Sequence, residues 1–125
     1  MLKDHDSSAI LAVRDLERAR DFYGNMLGLE PDGESGEADV LAYRTGATRL
    51  VLYVSEFAGT NRANAVVWGV GDDIDAIVAA LEAKGVAFEH YPEIGRLEGN
   101  MHRIGEAKLV WLKDPDGNIL HLNNM

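Results

Sequence analysis

The four histidines are the side chains of this sequence best suited to acid–base or metal chemistry. The chain has no cysteine, which excludes thiolate nucleophiles, disulfides and cysteine-based zinc sites. His121 stands between two leucines in the closing segment WLKDPDGNILHL, residues 111–122. An imidazole can serve as a general base or as a metal ligand. A lone histidine on a strand is also commonly part of a pocket wall, so three roles are open for His121.

Few other residues are placed for catalysis. No nucleophile has an evident paired base, and no two carboxylates are spaced for separate acid and base roles. The segment DPDGN has Pro at the second and Gly at the fourth position of a turn. Asp114 and Asp116 are therefore interpreted as turn residues without chemistry.

The first half of the chain predicts the element order β-α-β-β-β. The apolar segment AILAV (Ala9–Val13) indicates a strand, and Asp15 is placed to cap the helix that follows. Gly28 ends that helix, because glycine readily adopts the left-handed conformation of a helix C-terminus. Strands are predicted near Leu29 and in the segments DVLAYR and RLVLYV.

The second half repeats this order. A strand at NAVVWGV precedes a helix that Asp72 or Asp73 caps and Gly85 ends, and strands follow at VAFEHY, AKLVWLK and NILHLNN. One offset of 57 positions relates the two halves, pairing Val13 with Val70, Asp15 with Asp72, Gly28 with Gly85 and Leu29 with Val86. Four matches at one offset predict a duplicated βαβββ module and an α+β fold.

The chain is predicted to be a single domain of residues 1–125. Module 1 covers about residues 8–55, a linker covers about 56–63, and module 2 covers about 64–124. Residues 92–106 are interpreted as a long loop, which would be either a lid or a patch at the edge of the core. His102 lies in that loop and His90 in an edge strand, so neither is expected beside His121.

Composition restricts the functional classes. With 125 residues and 46% apolar content, the chain can bury a core of its own. A net charge of −9 argues against nucleic acid and anionic membrane surfaces as partners and is compatible with a cationic ligand. Neither a signal peptide nor a membrane span is evident, which predicts a cytoplasmic protein.

The segments AVRDLERARDFYGNMLGL, GVGDDIDAIVAALEAKGV and WLKDPDGNILHL resemble the vicinal oxygen chelate superfamily. That superfamily includes glyoxalase I, ring-cleaving dioxygenases, fosfomycin-resistance enzymes and bleomycin-resistance proteins. The resemblance spans about residues 8–123. It implies two tandem βαβββ modules that form a cup-shaped mixed sheet with the helices on its outer face, and it commonly implies a homodimer.

Metal-using members of this superfamily have four ligand positions, one in the first strand and one in the last strand of each module. Carried onto this sequence, the positions are Ser8, Val51, Ala65 and His121. A divalent ion needs three or four imidazole or carboxylate donors, and here one histidine stands alone. No metal and no cofactor are therefore predicted.

Strand alternation, with the four ligand positions facing the cup, predicts the residues that line it. Ligand contacts are predicted from Ser8, Arg49, Val51, Tyr53, Ala65, Val67, Trp111 and His121. Ile10, Ile119 and Asn123 share that side, whereas Leu11, Val13, Leu50, Leu52, Val66, Trp68, Val70, Leu120 and Leu122 pack beneath the helices.

The favoured function is binding of a small molecule without a metal, as in the bleomycin-resistance branch of the superfamily. The ligand would be an antibiotic or natural product, aromatic or cationic, held by sequestration without chemical change. No catalytic residue is assigned under this reading. The alternative is a metal-free isomerase or lyase with His121 as the acid or base and Tyr53 as its partner. A glyoxalase-like or dioxygenase-like metal enzyme, with ligands at other positions, is a third hypothesis.

Overall fold

Two β-sheets, each accompanied by its own short helix, make up the computed structural model, which describes residues 1–33 and 38–125. The structure divides into two units. The first unit contains Met1–Thr60 and Pro115–Gly117, and the second contains Asn61–Asp114 and Asn118–Met125. The fold is mixed α+β, as the sequence predicts.

The first unit has the order β-α-β-β-β. After a 3₁₀ turn at Leu2–Asp4, its elements are β1 (Ala9–Val13), α1 (Leu16–Ala19), a π-helical segment (Arg20–Met26), β2 (Glu30–Pro31), β3 (Val40–Thr45) and β4 (Thr48–Val54). The sheet order is β1-β4-β3-β2, in which β1 runs parallel to β4 and the other neighbours are antiparallel.

Local signals place the helix of the first unit where the sequence predicts it. The Asp15 side chain accepts hydrogen bonds from the backbone N–H groups of Glu17 and Arg18, which are otherwise unpaired at a helix start. The chain then widens into π-helical turns, as shown by the i to i−5 hydrogen bond from Leu27 N–H to the Phe22 carbonyl. Gly28 follows with a φ of 74°, so the predicted helix end is confirmed.

The second unit contains β5 (Asn64–Gly69), a 3₁₀ turn (Gly71–Asp73), α2 (Ile74–Ala83), β6 (Phe88–Glu89), β7 (Arg96–Glu98), β8 (Met101–Ile104), β9 (Ala107–Lys113) and β10 (Ile119–Asn123). The main sheet order is β5-β10-β9-β8-β7, and β6 also pairs with β9. No helix in the described ranges is long and apolar enough to cross a bilayer.

Strand pairing confirms the repeat. In the second unit, β5 runs parallel to β10, β10 is antiparallel to β9, and β9 is antiparallel to β6. The path β5-β10-β9-β6 therefore reproduces the path β1-β4-β3-β2 of the first unit. The β7–β8 hairpin is the addition that distinguishes the second module from the first.

Two local predictions for the second module are wrong. Residues 92–106 are not a structureless loop, because they contain β7 and β8, and β8 pairs with β9. Asp73 occupies the N-cap position of α2, but its side chain makes no capping hydrogen bond, since the 3₁₀ turn leads directly into the helix.

The predicted alternation is clearest in β1 and β4. Leu11, Val13, Leu50 and Leu52 are 0–5% exposed. Ile10 is 62% exposed and Tyr53 is 37% exposed, although each neighbours a buried residue along its strand. In the second unit Leu120 and Leu122 are buried, whereas Val66 and Trp68 on the edge strand β5 are half-buried.

Candidate functional site

The first sheet presents an exposed face that carries three of the predicted ligand contacts, Arg49, Val51 and Tyr53. The β1–β4 register places Ile10 beside Val51, and the β3–β4 register places Ala42 on the other side of Val51. These side chains therefore form one row across three strands. We call Ile10, Arg49, Val51 and Tyr53 the open face of the first sheet. Ser8 is exposed just before β1.

Arg49 is the charged group of the open face. Its Nε lies 2.5 Å from a carboxylate oxygen of Asp32, and 63% of the Arg49 side chain is exposed. An ion pair this exposed contributes little to stability, because water and salt screen it. The guanidinium therefore remains accessible to a ligand that competes with Asp32.

The second sheet brings Val67, Trp111 and His121 together. Val67 pairs with His121 across β5 and β10, and His121 pairs with Trp111 across β10 and β9. Val67 is 58% exposed, whereas Trp111 and His121 are 6% and 8% exposed. Ala65 is half-buried at a β-bulge, where the register passes from Asn64 to Val66.

Trp111 is at the centre of an aromatic cluster. It stacks on His121, with ring centroids 4.6 Å apart and an interplanar angle of 21°. Tyr91 and His102 approach Trp111 edge-on, at centroid distances of 5.3 Å and 4.9 Å. We call Tyr91, His102, Trp111 and His121 the aromatic cluster. Strand parity correctly places Trp111 on the face of His121, but the cluster covers the indole.

His102 is the member of the cluster that sequence reasoning placed wrongly. It is fully buried on β8, directly opposite Leu109 of β9, and its Nε2 accepts a hydrogen bond from the Tyr91 backbone N–H at 2.9 Å. The dipeptide Gly99-Asn100 between β7 and β8 is the sequence feature that could have predicted a strand at His102. A two-residue loop that begins with glycine is typical of a tight hairpin, and Gly99 has a φ of 59°.

The hydrogen bonds of His121 define its tautomer. Nδ1 lies 3.0 Å from the Val110 carbonyl, which can only accept, so Nδ1 carries the proton. Nε2 lies 3.3 Å from the Asn123 amide nitrogen, which donates to it. Burial lowers the pKa of His121, and the bond to Val110 partly opposes that shift. His121 is therefore a neutral imidazole with both nitrogens hydrogen-bonded.

Acidification is expected to destabilise the protein through His121. Because its pKa in the folded protein is below the ordinary value of 6.5, the unfolded chain takes up a proton first as the pH falls. This loss of stability is absent at pH values well above 6.5 and begins as the pH falls through 6.5. It grows until the pH reaches the pKa of His121 in the folded protein. Urea unfolding between about pH 5 and pH 8 should show a steeper loss for the wild type than for His121→Gln. Parallel pH profiles for the two proteins would contradict this assignment.

The four residues predicted to occupy the family's ligand positions do not offer the donor set of a divalent ion. Ser8, Val51 and Ala65 provide one weak hydroxyl donor and two alkyl groups, and the only strong donor is the hydrogen-bonded imidazole of His121. Within residues 1–33 and 38–125, no group of three or more histidine, aspartate or glutamate side chains is arranged to hold a metal ion.

The sequence analysis offers Tyr53 as an acid–base partner of His121. Tyr53 belongs to the first unit and His121 to the second, so this partnership remains a prediction. The cup-shaped sheet formed by the two modules also remains a prediction. Within each unit, three predicted ligand contacts share one face, and these are Arg49, Val51 and Tyr53 in the first and Val67, Trp111 and His121 in the second.

Comparison with known proteins agrees with this architecture. A glyoxalase family protein from Bacillus anthracis superimposes with a TM-score of 0.74 at 20% identity, over 95% of this chain and 93% of that one. The fosfomycin resistance protein FosX from Mesorhizobium loti has a TM-score of 0.70 at 16% identity, over 98% and 92%. A lactoylglutathione lyase from Agrobacterium tumefaciens has a TM-score of 0.70 at 19% identity, over 95% and 92%. At these identities the structural likeness concerns the fold alone. A sequence profile of the Glyoxalase/Bleomycin resistance protein/Dioxygenase superfamily matches residues 7–122, and the chain belongs to that superfamily.

Proposed function

We propose that this protein binds a small organic molecule without a metal, and that it confers resistance by sequestering an antibiotic or other natural product unchanged. The observation that carries the proposal is the residue set at the four ligand positions of the family. Serine, valine and alanine replace three donors, and the fourth position holds a neutral histidine that stacks on Trp111. The chain thus keeps the fold while its side chains favour organic contacts over metal coordination.

The side chains on the two predicted faces suit such a ligand. Ile10, Val51 and Tyr53 in the first unit and Val67 in the second provide accessible apolar surface. Apolar area supplies affinity in small-molecule sites, and a few polar groups fix the orientation of the ligand. Arg49 and the Tyr53 hydroxyl are polar groups of this kind.

Relatives with this fold carry names from two functional classes, resistance and catalysis. One structural neighbour is named a fosfomycin resistance protein and another a lactoylglutathione lyase. We further propose a cytoplasmic homodimer, and light scattering of the purified protein tests its oligomeric state.

Binding is measured by titrating the protein with aromatic, glycopeptide and enediyne antibiotics while the fluorescence of its two tryptophans is recorded. We expect saturable quenching with a micromolar dissociation constant that a chelator leaves unchanged, and mass spectrometry should recover the ligand intact. Tyr53→Ala should weaken binding about tenfold, which corresponds to about 1.4 kcal/mol. Phe57→Ala is the matched control, since Phe57 is an aromatic residue 68% exposed in the linker.

Two results would overturn the proposal. One is the absence of any micromolar binder among the three antibiotic classes. The other is stoichiometric, tight uptake of Ni²⁺, Zn²⁺ or Fe²⁺ in a calorimetric titration, because the side chains at the four family positions should not support it.

A second candidate function is a metal-free isomerase or lyase. Its supporting observation is that burial lowers the pKa of His121, which keeps the imidazole in the neutral form that accepts a proton. His121→Ala would then abolish turnover, whereas a binding protein would only lose affinity. Tyr53→Phe separates the roles further, because it removes a proton donor and retains the aromatic ring.

A further inference from the structure

The first unit contains a cleft that the proposed function does not use. Its volume is about 690 Å³, and it lies between the π-helical segment and strands β2 and β3. This volume is within the range of about 300–1,000 Å³ typical of small-molecule sites. Leu29, Pro31 and Leu41 provide apolar walls.

The cleft opens on the helix side of the sheet. Tyr43 lines the cleft and pairs with Leu50, which is buried on the side away from the open face of the first sheet. Val51, the next residue of β4, belongs to the open face. Val40 and Ala42, which pair with Tyr53 and Val51, also border the cleft, so the two sites meet at β3. Arg20, Gly24 and Tyr43 belong to the cleft and not to the open face, so substitutions there test the cleft separately from the open face.

Arg20 is the cation at this cleft. Its guanidinium makes no hydrogen bond or ion pair with residues 1–33 or 38–125, and it is exposed at the lining of the cleft. Three described carboxylates near the cleft have other partners, because Asp21 accepts from Asn25, Asp32 pairs with Arg49, and Glu30 pairs with Arg44. Among the described residues, none of these three competes with a ligand for the Arg20 guanidinium.

Tyr43 provides a second polar group. Tyr43 is 3% exposed, and its hydroxyl lies 3.6 Å from the Cβ position that a side chain at Gly24 would occupy. Burial raises the pKa of Tyr43, and the positive charge of Arg20 opposes part of that rise. The phenol consequently stays protonated at neutral pH and can donate a hydrogen bond.

We propose that this cleft binds a small organic anion, with its carboxylate or sulfonate at Arg20 and the Tyr43 hydroxyl and its apolar body against Leu29, Pro31 and Leu41. Charge-assisted hydrogen bonds from a guanidinium are among the stronger polar contacts in proteins. The net charge of −9 does not prevent this, because salt screens distant charges beyond about 8 Å under physiological conditions.

Anilinonaphthalene sulfonate is a suitable probe, since it joins an aromatic body to one sulfonate. Two-dimensional amide NMR spectra recorded during its titration should show saturable shifts concentrated in Arg20–Met26 and Val40–Thr45. The uncharged parent, phenylnaphthylamine, should bind about tenfold more weakly or worse, because it lacks the anion that Arg20 holds.

Substitutions locate the site. Arg20→Gln should weaken probe binding about tenfold, and Arg96→Gln, an equal charge change in the second unit, should leave it unchanged. A Cβ at Gly24 meets Tyr43 at ordinary contact distance, so Gly24→Ala should fold normally. Gly24→Leu extends further into the cleft and should abolish the shifts.

Three outcomes would overturn the proposal. These are no saturable binding at millimolar probe, shifts confined to the second unit, and equal affinity in the wild type and Arg20→Gln. None of them affects the antibiotic titration, which is evaluated with Tyr53→Ala on the opposite side of the sheet.

Discussion

Leu52→Ala should lower the free energy of unfolding by about 2–5 kcal/mol, whereas Tyr53→Ala should cost less than about 1 kcal/mol. Leu52 is fully buried on β4, and truncating it removes apolar burial and leaves a cavity. Tyr53 follows it on the same strand with 37% of its surface exposed. Urea unfolding monitored by circular dichroism measures both variants.

The two variants should rank in the opposite order when the loss of ligand affinity is measured. Tyr53→Ala should lose affinity because the open face loses an aromatic contact, and Leu52→Ala should retain affinity under conditions where it remains folded. Comparable losses of stability in the two variants would contradict the assignment of opposite faces along β4.

Gly59→Ala is expected to lower the free energy of unfolding by more than about 3 kcal/mol. Gly59 has a φ of 79°, where an alanine is strained by about 1–2 kcal/mol. The added Cβ would also collide with the backbone oxygen of Asp116, and a backbone atom cannot rotate away as a side chain can. The Asp116 carboxylate accepts hydrogen bonds from Arg14 N–H and the Arg18 guanidinium, so displacing this turn disturbs further contacts.

Gly46→Ala is the matched control. Gly46 also has a positive φ, 55°, but a Cβ there meets no described atom within 4 Å. Only the backbone strain applies, so the expected cost is about 1 kcal/mol. Thermal and urea unfolding of the two alanine variants measure the difference in their stability. Similar midpoints would contradict the prediction, because they would show that the turn at Asp116 can move aside without a significant loss of stability.

The elements that sequence predicts best are those specified by short-range patterns. Alternation in β4 separates Leu50 and Leu52 from Val51 and Tyr53 because neighbouring residues of a strand point to opposite faces. Asp15 and Gly28 mark the helix ends because capping geometry is local. The repeat is predicted for the same reason, since each module carries its own copy of these signals.

Predictions that depend on pairing over longer distances are less successful. The sequence predicts Trp111 on the face of His121, but Tyr91 and His102 cover it because β6 and β8 both pair with β9. The π-helical winding of Arg20–Met26 was not predicted, because the apolar spacing of one short segment fits α and π turns almost equally well. The cleft at Arg20 depends on how that segment lies against β3, and no sequence period encodes this.

The turn at Pro115–Gly117 has a consequence for how the protein is made. It belongs to the first unit although it is far along the chain, and Asp116 bonds to Arg14 and Arg18 across 102 and 98 residues of sequence. A ribosome releases the chain from its N-terminus, so the first unit lacks this turn until most of the second has been synthesised. Until Asp116 emerges, Arg14 and Arg18 have no carboxylate at this position and the first unit is incomplete. Pauses in translation before residue 116 should therefore lengthen the time for which the first unit is open to proteases and chaperones.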